Sequence, residues 1–122
     1  MAGKFCVSIT NSHKDPDKVT VGFVVANAAL GSEKETIVFL STDGVWTAKK
    51  GEAEKISVGE PFAPLKDLIA KFVAAGGRIL VCTPCLKLRG ISPEDLIAGA
   101  VPAGGAALVE FLSQPGAASV SY

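Results

Sequence analysis

The chain carries a single histidine, one tryptophan, one tyrosine and only three cysteines, and it has no surplus of charge of either sign. Each scarcity narrows what the protein does. Basic and acidic residues number 12 each, so no basic field exists to hold a phosphate backbone and no nucleic-acid partner is expected. Three cysteines are too few, and odd in number, for a disulfide-stapled secreted scaffold. One cysteine pair also falls short of the four ligands of a structural zinc, so no metal is expected. The most apolar helical stretch, Val19 to Leu30, is shorter than the ~20 residues a membrane span needs, and no membrane partner is expected. Neither Gly76-Gly77 nor Gly104-Gly105 fits a GxGxxG or P-loop pattern, so no cofactor is expected. The opening MAGKFCVSIT runs directly into a strand-like segment without a signal-peptide core, giving the expectation of a cytoplasmic protein.

What is present is a chain of 122 residues, 48% apolar and 20% charged, read as one globular domain over residues 1–122. Phe5 to Thr10 and Thr36 to Leu40 are short apolar runs of strand length. Between them, Asp15-Pro16 supplies an N-cap followed by proline at the first helical position, and the helix ends at Gly31. Residues Val45 to Glu60 form a polar surface excursion with a short helical turn. Leu65, Leu68, Ile69, Phe72 and Val73 recur at helical spacing, closed by Gly76-Gly77. Arg78 to Val81 is a third strand, Ser92-Pro93-Glu94-Asp95 a capped helix start and Ala100 to Ala103 a fourth short strand. A helix over Gly104 to Ser113 and a strand over Ala118 to Ser121 complete the chain. Strands alternating with helices predict an α/β fold: a three-layer α/β/α domain around a mostly parallel sheet of about five strands.

In such sheets functional groups gather beyond the carboxyl ends of the strands. Three stretches there carry polar or reactive groups: Asn11-Ser12-His13, Thr42-Asp43-Gly44 and Cys82-Thr83-Pro84-Cys85. Between Leu68 and Pro93 there is no acidic residue, whereas Lys71, Arg78, Lys87 and Arg89 fall inside that interval. Cations near a thiol favour the thiolate, so Cys82 is a candidate nucleophile with Lys87 and Arg89 as its charge partners. The alternative is that both cations are ordinary surface charges. A thioredoxin-type dithiol is disfavoured, because the pair lies two-thirds of the way along the chain and no tryptophan stands directly before it. Cys6, inside a strand, is expected to pack as a small hydrophobe. His13 and Asp43 are candidate binding residues on the shared rim, or else a solvated histidine and a strand-end turn. No acid–base pair is evident near the cysteines.

FLSTDGV (Phe39 to Val45), PLKDLIAKFVAAGGRI (Pro64 to Ile79), VCTPCLKLRGI (Val81 to Ile91) and EDLIAGAVPAGGAALVEFL (Glu94 to Leu112) together cover most of the chain. In these segments and their order the sequence resembles the DsrE/DsrF-like family, small α/β proteins that include subunits of sulfur relays. Cysteine after a strand with Arg-Gly seven and eight residues on, here Cys82, Arg89 and Gly90, is the most specific part of the likeness. The resemblance implies that Cys82 is a persulfide carrier passing sulfane sulfur between a donor and an acceptor protein. Cys85 marks a Cys-x-x-C subgroup and would be a resolving thiol or second carrier. A non-catalytic oligomeric module binding a small ligand or a partner stands as the alternative. The apolar fraction, the nearly unbroken apolar helix and the small-residue stretch Ala98 to Ala107 lead to the expectation of a homo-oligomer. The resemblance favours a homotrimer or homohexamer, with a dimer as second choice.

Overall fold

The computed structural model describes residues 3–122. Five strands, β1 (Lys4–Ile9), β2 (Glu35–Leu40), β3 (Arg78–Cys82), β4 (Ala100–Ala103) and β5 (Ala117–Ser121), form one sheet. Their order is β4-β3-β2-β1-β5 and every pairing is parallel. The helices are α1 (Pro16–Gly31), α2 (Leu65–Ala74), α3 (Thr83–Leu88) and α4 (Gly105–Leu112). Three 3-10 segments, Thr42–Ala48, Ala53–Lys55 and Pro93–Asp95, fill the longer connections. The single-domain α/β architecture expected from the sequence is the one observed.

Topology distributes the helices. The steps from β1 through β4 all go the same way, so right-handed crossovers put α1 and α2 on one face. The return from β4 to β5 places α4 on the other. Strand residues sort accordingly: Val7, Ile9, Val38, Leu40, Ile79 and Val81 pack with Val19, Phe23, Leu65, Ile69 and Phe72. Cys6, Ile37, Phe39 and Leu80 point the opposite way, onto Phe111. The Phe23 and Phe72 rings meet edge to face, centroids 5.9 Å apart at 82°, and join α1 to α2.

Local chemistry explains the boundaries. The Asp15 carboxylate accepts from the Lys18 amide at 3.2 Å and Pro16 opens α1. Gly76 ends α2 with φ of 97°, a conformation that costs glycine little. Three expectations change. The stretch over residues 45–60 is not a surface excursion throughout, since Val45, Thr47, Ala48, Ala53 and Ile56 are buried. Cys82-Thr83-Pro84-Cys85 is not a loop: β3 runs through Cys82 and α3 begins at once, with Pro84 in its first turn, where a missing amide proton costs nothing. Ser92-Pro93-Glu94-Asp95 opens no α-helix, only a three-residue 3-10 turn. The Lys50 amide donates to the Asp95 carbonyl at 2.8 Å and the Ile97 amide to the Ala48 carbonyl at 2.9 Å, tying that backbone to the segment after β2.

The second face is thinly covered. Phe111 is the one buried residue of α4, while Val101, Val109 and Leu112 are 52%, 65% and 38% exposed. On the first face, Val21, Val24 and Val25 of α1 remain half-buried. Among the described residues, no helix is long and apolar enough to cross a membrane.

Candidate functional site

β1, β2 and β3 pair in parallel register, so their carboxyl ends open on the same edge of the sheet. The three stretches singled out from the sequence meet there. Arg89 makes the central connection: its Nε and Nη2 donate to Asp43 Oδ1 at 3.2 and 3.0 Å, and its Nη1 donates to the Cys85 carbonyl at 3.2 Å. Lys14 approaches the other Asp43 oxygen at 3.3 Å. The hydrogen bond from Arg89, and after it that from Lys14, holds the Asp43 carboxyl below the usual carboxylate range. Asp43 is thus an anchor between the β1 and β3 ends. Lys87 is exposed and makes no ion pair among the described residues.

Cys82 and Cys85 are both half-buried free thiols. The sequence argument from nearby cations does not describe Cys82. Its thiol is pushed up, first by burial and then by its hydrogen bond with the Cys85 side chain; a hydrogen bond from the Cys85 backbone and, last, the Arg89 charge pull the other way without prevailing. Arg89 directs its donors to Asp43 and to the Cys85 backbone, not to sulfur. The backbone donor aimed at the Cys85 sulfur comes from a residue the sequence named only as part of a turn: the Thr42 amide donates to Cys85 Sγ at 3.2 Å.

Thr42 sits at φ of 50°, a left-handed conformation unusual for a β-branched residue and worth ~1–3 kcal/mol of strain. Its hydroxyl reaches the Thr10 carbonyl at 3.0 Å and the Ser41 carbonyl at 2.7 Å. Two residues on, Gly44 passes so near β1 that a Cβ would stand 2.2 Å from the Ile9 carbonyl oxygen. These contacts fix the turn that carries the Thr42 amide.

Beside Asp43 a cleft of about 340 Å³ is lined by Ser12, His13, Lys14, Asp43, Trp46 and Glu52. Its floor is a buried hydrogen bond from Thr47 Oγ1 to Ser12 Oγ at 2.8 Å. His13 Nε2 lies 2.8 Å from Glu52 Oε1, a pairing within this cleft, which neither cysteine lines. Hydrogen bonds from Lys55 first and His13 second keep the Glu52 carboxyl below its usual range. Glu52 lies 39 positions from His13 and carried no local signal. A larger apolar hollow of about 420 Å³ lies against α2 and is lined by neither cysteine. No group of three or more His, Cys, Asp or Glu is clustered for a metal among the described residues. Cys6 is fully buried, and burial pushes its thiol up to about 11, in keeping with a packing role.

Fold and site together define a small parallel α/β protein with a dithiol at the carboxyl edge of its sheet. The chain belongs to the DsrE/DsrF-like family, whose sequence model matches residues 3–120. It is 34% identical over 111 residues to the uncharacterized protein MJ0989 of Methanocaldococcus jannaschii, covering 91% of this chain and 93% of that one. It is 30% identical over 106 residues to the uncharacterized protein MJ0760 of the same organism; the match covers 87% of this chain but only 38% of that protein's length. Among solved structures, the YchN protein of E. coli superposes with a TM-score of 0.79 at 20% identity, over 98% of this chain and all of YchN. A protein of unknown function from Methanobacterium thermoautotrophicum, MTH1491, gives 0.74 at 14% identity, covering 98% and 99% of the two chains. At these identities the two structures speak for the fold alone.

Proposed function

We propose that the protein handles sulfane sulfur through its thiol pair, with Cys82 as the sulfur-accepting residue and Cys85 as its partner. The observation that carries this reading is the placement of two free, half-buried, interacting thiols at the end of β3, with the Thr42 amide on one of them. Family membership supports a sulfur-relay setting, in which a donor protein loads Cys82 and an acceptor protein unloads it. A cytoplasmic location suits such a pair, because thiols stay reduced there. The chemistry requires no metal and no cofactor. Loading the protein with cysteine persulfide and locating the added sulfur by peptide mass tests the reading. After brief exposure the expected position is the peptide containing Cys82 and Cys85; sulfur found on Cys6, or neither added sulfur nor a Cys82–Cys85 disulfide, contradicts it.

Assembly belongs to the same proposal. Val101, Val109 and Leu112 leave an apolar surface on the α4 side, and a homotrimer or homohexamer would cover it, a dimer being the second choice. A second reading, a non-catalytic module that binds a small ligand, draws on the cleft between His13 and Trp46 and on the raised Cys82 thiol. Slow alkylation of both thiols at neutral pH, together with no persulfide, would favour that module.

A further inference from the structure

The two cysteines are not equivalent. A backbone amide is a hydrogen-bond donor only, and the Thr42 amide points at Cys85 Sγ from 3.2 Å. A hydrogen bond donated to sulfur is stronger when the sulfur is charged. That amide is fixed in place: the Thr42 hydroxyl is anchored on neighbouring carbonyls, Gly44 abuts β1, and Arg89 ties Asp43 of the same turn to the Cys85 backbone. At Cys82, which stands at the N-cap position of α3 without a hydrogen bond of capping geometry, the Cys85 backbone lowers the thiol less than burial raises it. Burial and the Cys85 side chain together hold Cys82 in its thiol form.

Building on the sulfur-handling reading, we propose that Cys85, held by the Thr42 amide with Thr42 as its positioning residue, is the resolving thiol that discharges a Cys82 persulfide as hydrosulfide. The steps balance. In the first, Cys82 loses its proton to solvent as its Sγ bonds to the outer sulfur of an organic persulfide. The donor's own S–S bond breaks and its thiolate leaves, giving a Cys82 persulfide and a Cys85 thiol. In the second, Cys85 loses its proton to solvent, and its thiolate attacks Cys82 Sγ. The Cys82 sulfur–sulfur bond breaks, hydrosulfide leaves, and a Cys82–Cys85 disulfide remains. The sulfane sulfur is reduced by two electrons and the two thiols supply them, so no further reagent enters. An acceptor protein must then compete with Cys85 for the sulfur.

The experiment treats the reduced full-length protein with N-acetylcysteine persulfide, whose leaving group is not sulfide, and follows hydrosulfide with a fluorescent trap and cysteine state by intact and peptide mass. Wild type is expected to release one hydrosulfide per chain and to finish as the internal disulfide. Cys85→Ser is expected to keep the added sulfur on Cys82 and to release none. A wild-type Cys82 persulfide as long-lived as that of Cys85→Ser overturns the proposal while leaving sulfur handling intact; no persulfide in either chain overturns the handling itself. Under limiting iodoacetamide the wild type is expected to label at Cys85 before Cys82, and the reverse order counts against the assignment. Thr42→Gly relieves the left-handed strain but loses the hydroxyl anchors. It is expected to slow Cys85 labelling several-fold, with Thr42→Ser restoring the rate; unchanged labelling in Thr42→Gly removes Thr42 from the mechanism.

Discussion

Single residues here are constrained more by backbone proximity than by side-chain chemistry. A methyl group at position 44 has nowhere to go, because the atom it meets is a backbone oxygen of β1 and not a movable side-chain tip. Gly44→Ala is therefore expected to cost about 2–3 kcal/mol, read as a lowered urea midpoint, and to disturb the turn that holds Thr42. Cys6 makes a prediction in pH. Its folded thiol titrates near 11, above the ~8.5 of an unfolded one, so its contribution to stability is fully present below the ordinary thiol range. As pH rises from there toward 11 the unfolded chain loses its proton first, and stability falls. Urea midpoints of wild type and Cys6→Ala, followed from neutral to alkaline pH, should converge; parallel curves would remove Cys6 as the cause.

At the scale of elements, α2 makes the clearest prediction. Phe72 is fully buried, meets Phe23 of α1 edge to face, and lies against Gly77 just before β3, where a Cβ would come within 2.3 Å of its ring. Phe72→Ala is expected to cost about 3–5 kcal/mol in denaturant unfolding, while Lys66→Ala on the exposed face should change little. The pattern of α2 was legible because its apolar spacing and its closing glycines agree, and so was that of α1, with Asp15 and Pro16 at its start. The strands were legible because parallel sheets covered on both faces read as unbroken apolar runs. What the sequence did not show has physical reasons. The six residues of α3 are too short to display a helical period, so Cys82 to Cys85 looked like a loop. Residues 92–95 look like a capped helix start, with Asp95 where a capping box prefers Glu, yet tertiary hydrogen bonds to Ala48 and Lys50 claim the backbone instead. The rim was legible from topology. Its pairings were not, because Glu52 with His13, and Arg89 with Asp43, are brought together only by the fold.

At the scale of the whole molecule the two faces of the sheet are unequal, and the proposed assembly would cover the thin α4 side. Sedimentation in reducing buffer is expected to give a species heavier than the monomer, and Val109→Glu, placing charge on the exposed face of α4, is expected to shift it toward monomer. A single species at monomer mass across micromolar concentrations would contradict the assembled state. The thiol edge is the other whole-molecule feature, since it draws on the ends of three strands and on the segment that follows β2. Sulfur acceptance by Cys82 is tested by counting the sulfur on that residue. Wild type and Cys82→Ser are exposed briefly to a sulfane-sulfur donor, quenched with excess iodoacetamide and compared by peptide mass spectrometry. The account predicts a persulfide on Cys82 in the wild type and little added sulfur anywhere in Cys82→Ser; as much added sulfur in Cys82→Ser as in the wild type would contradict it.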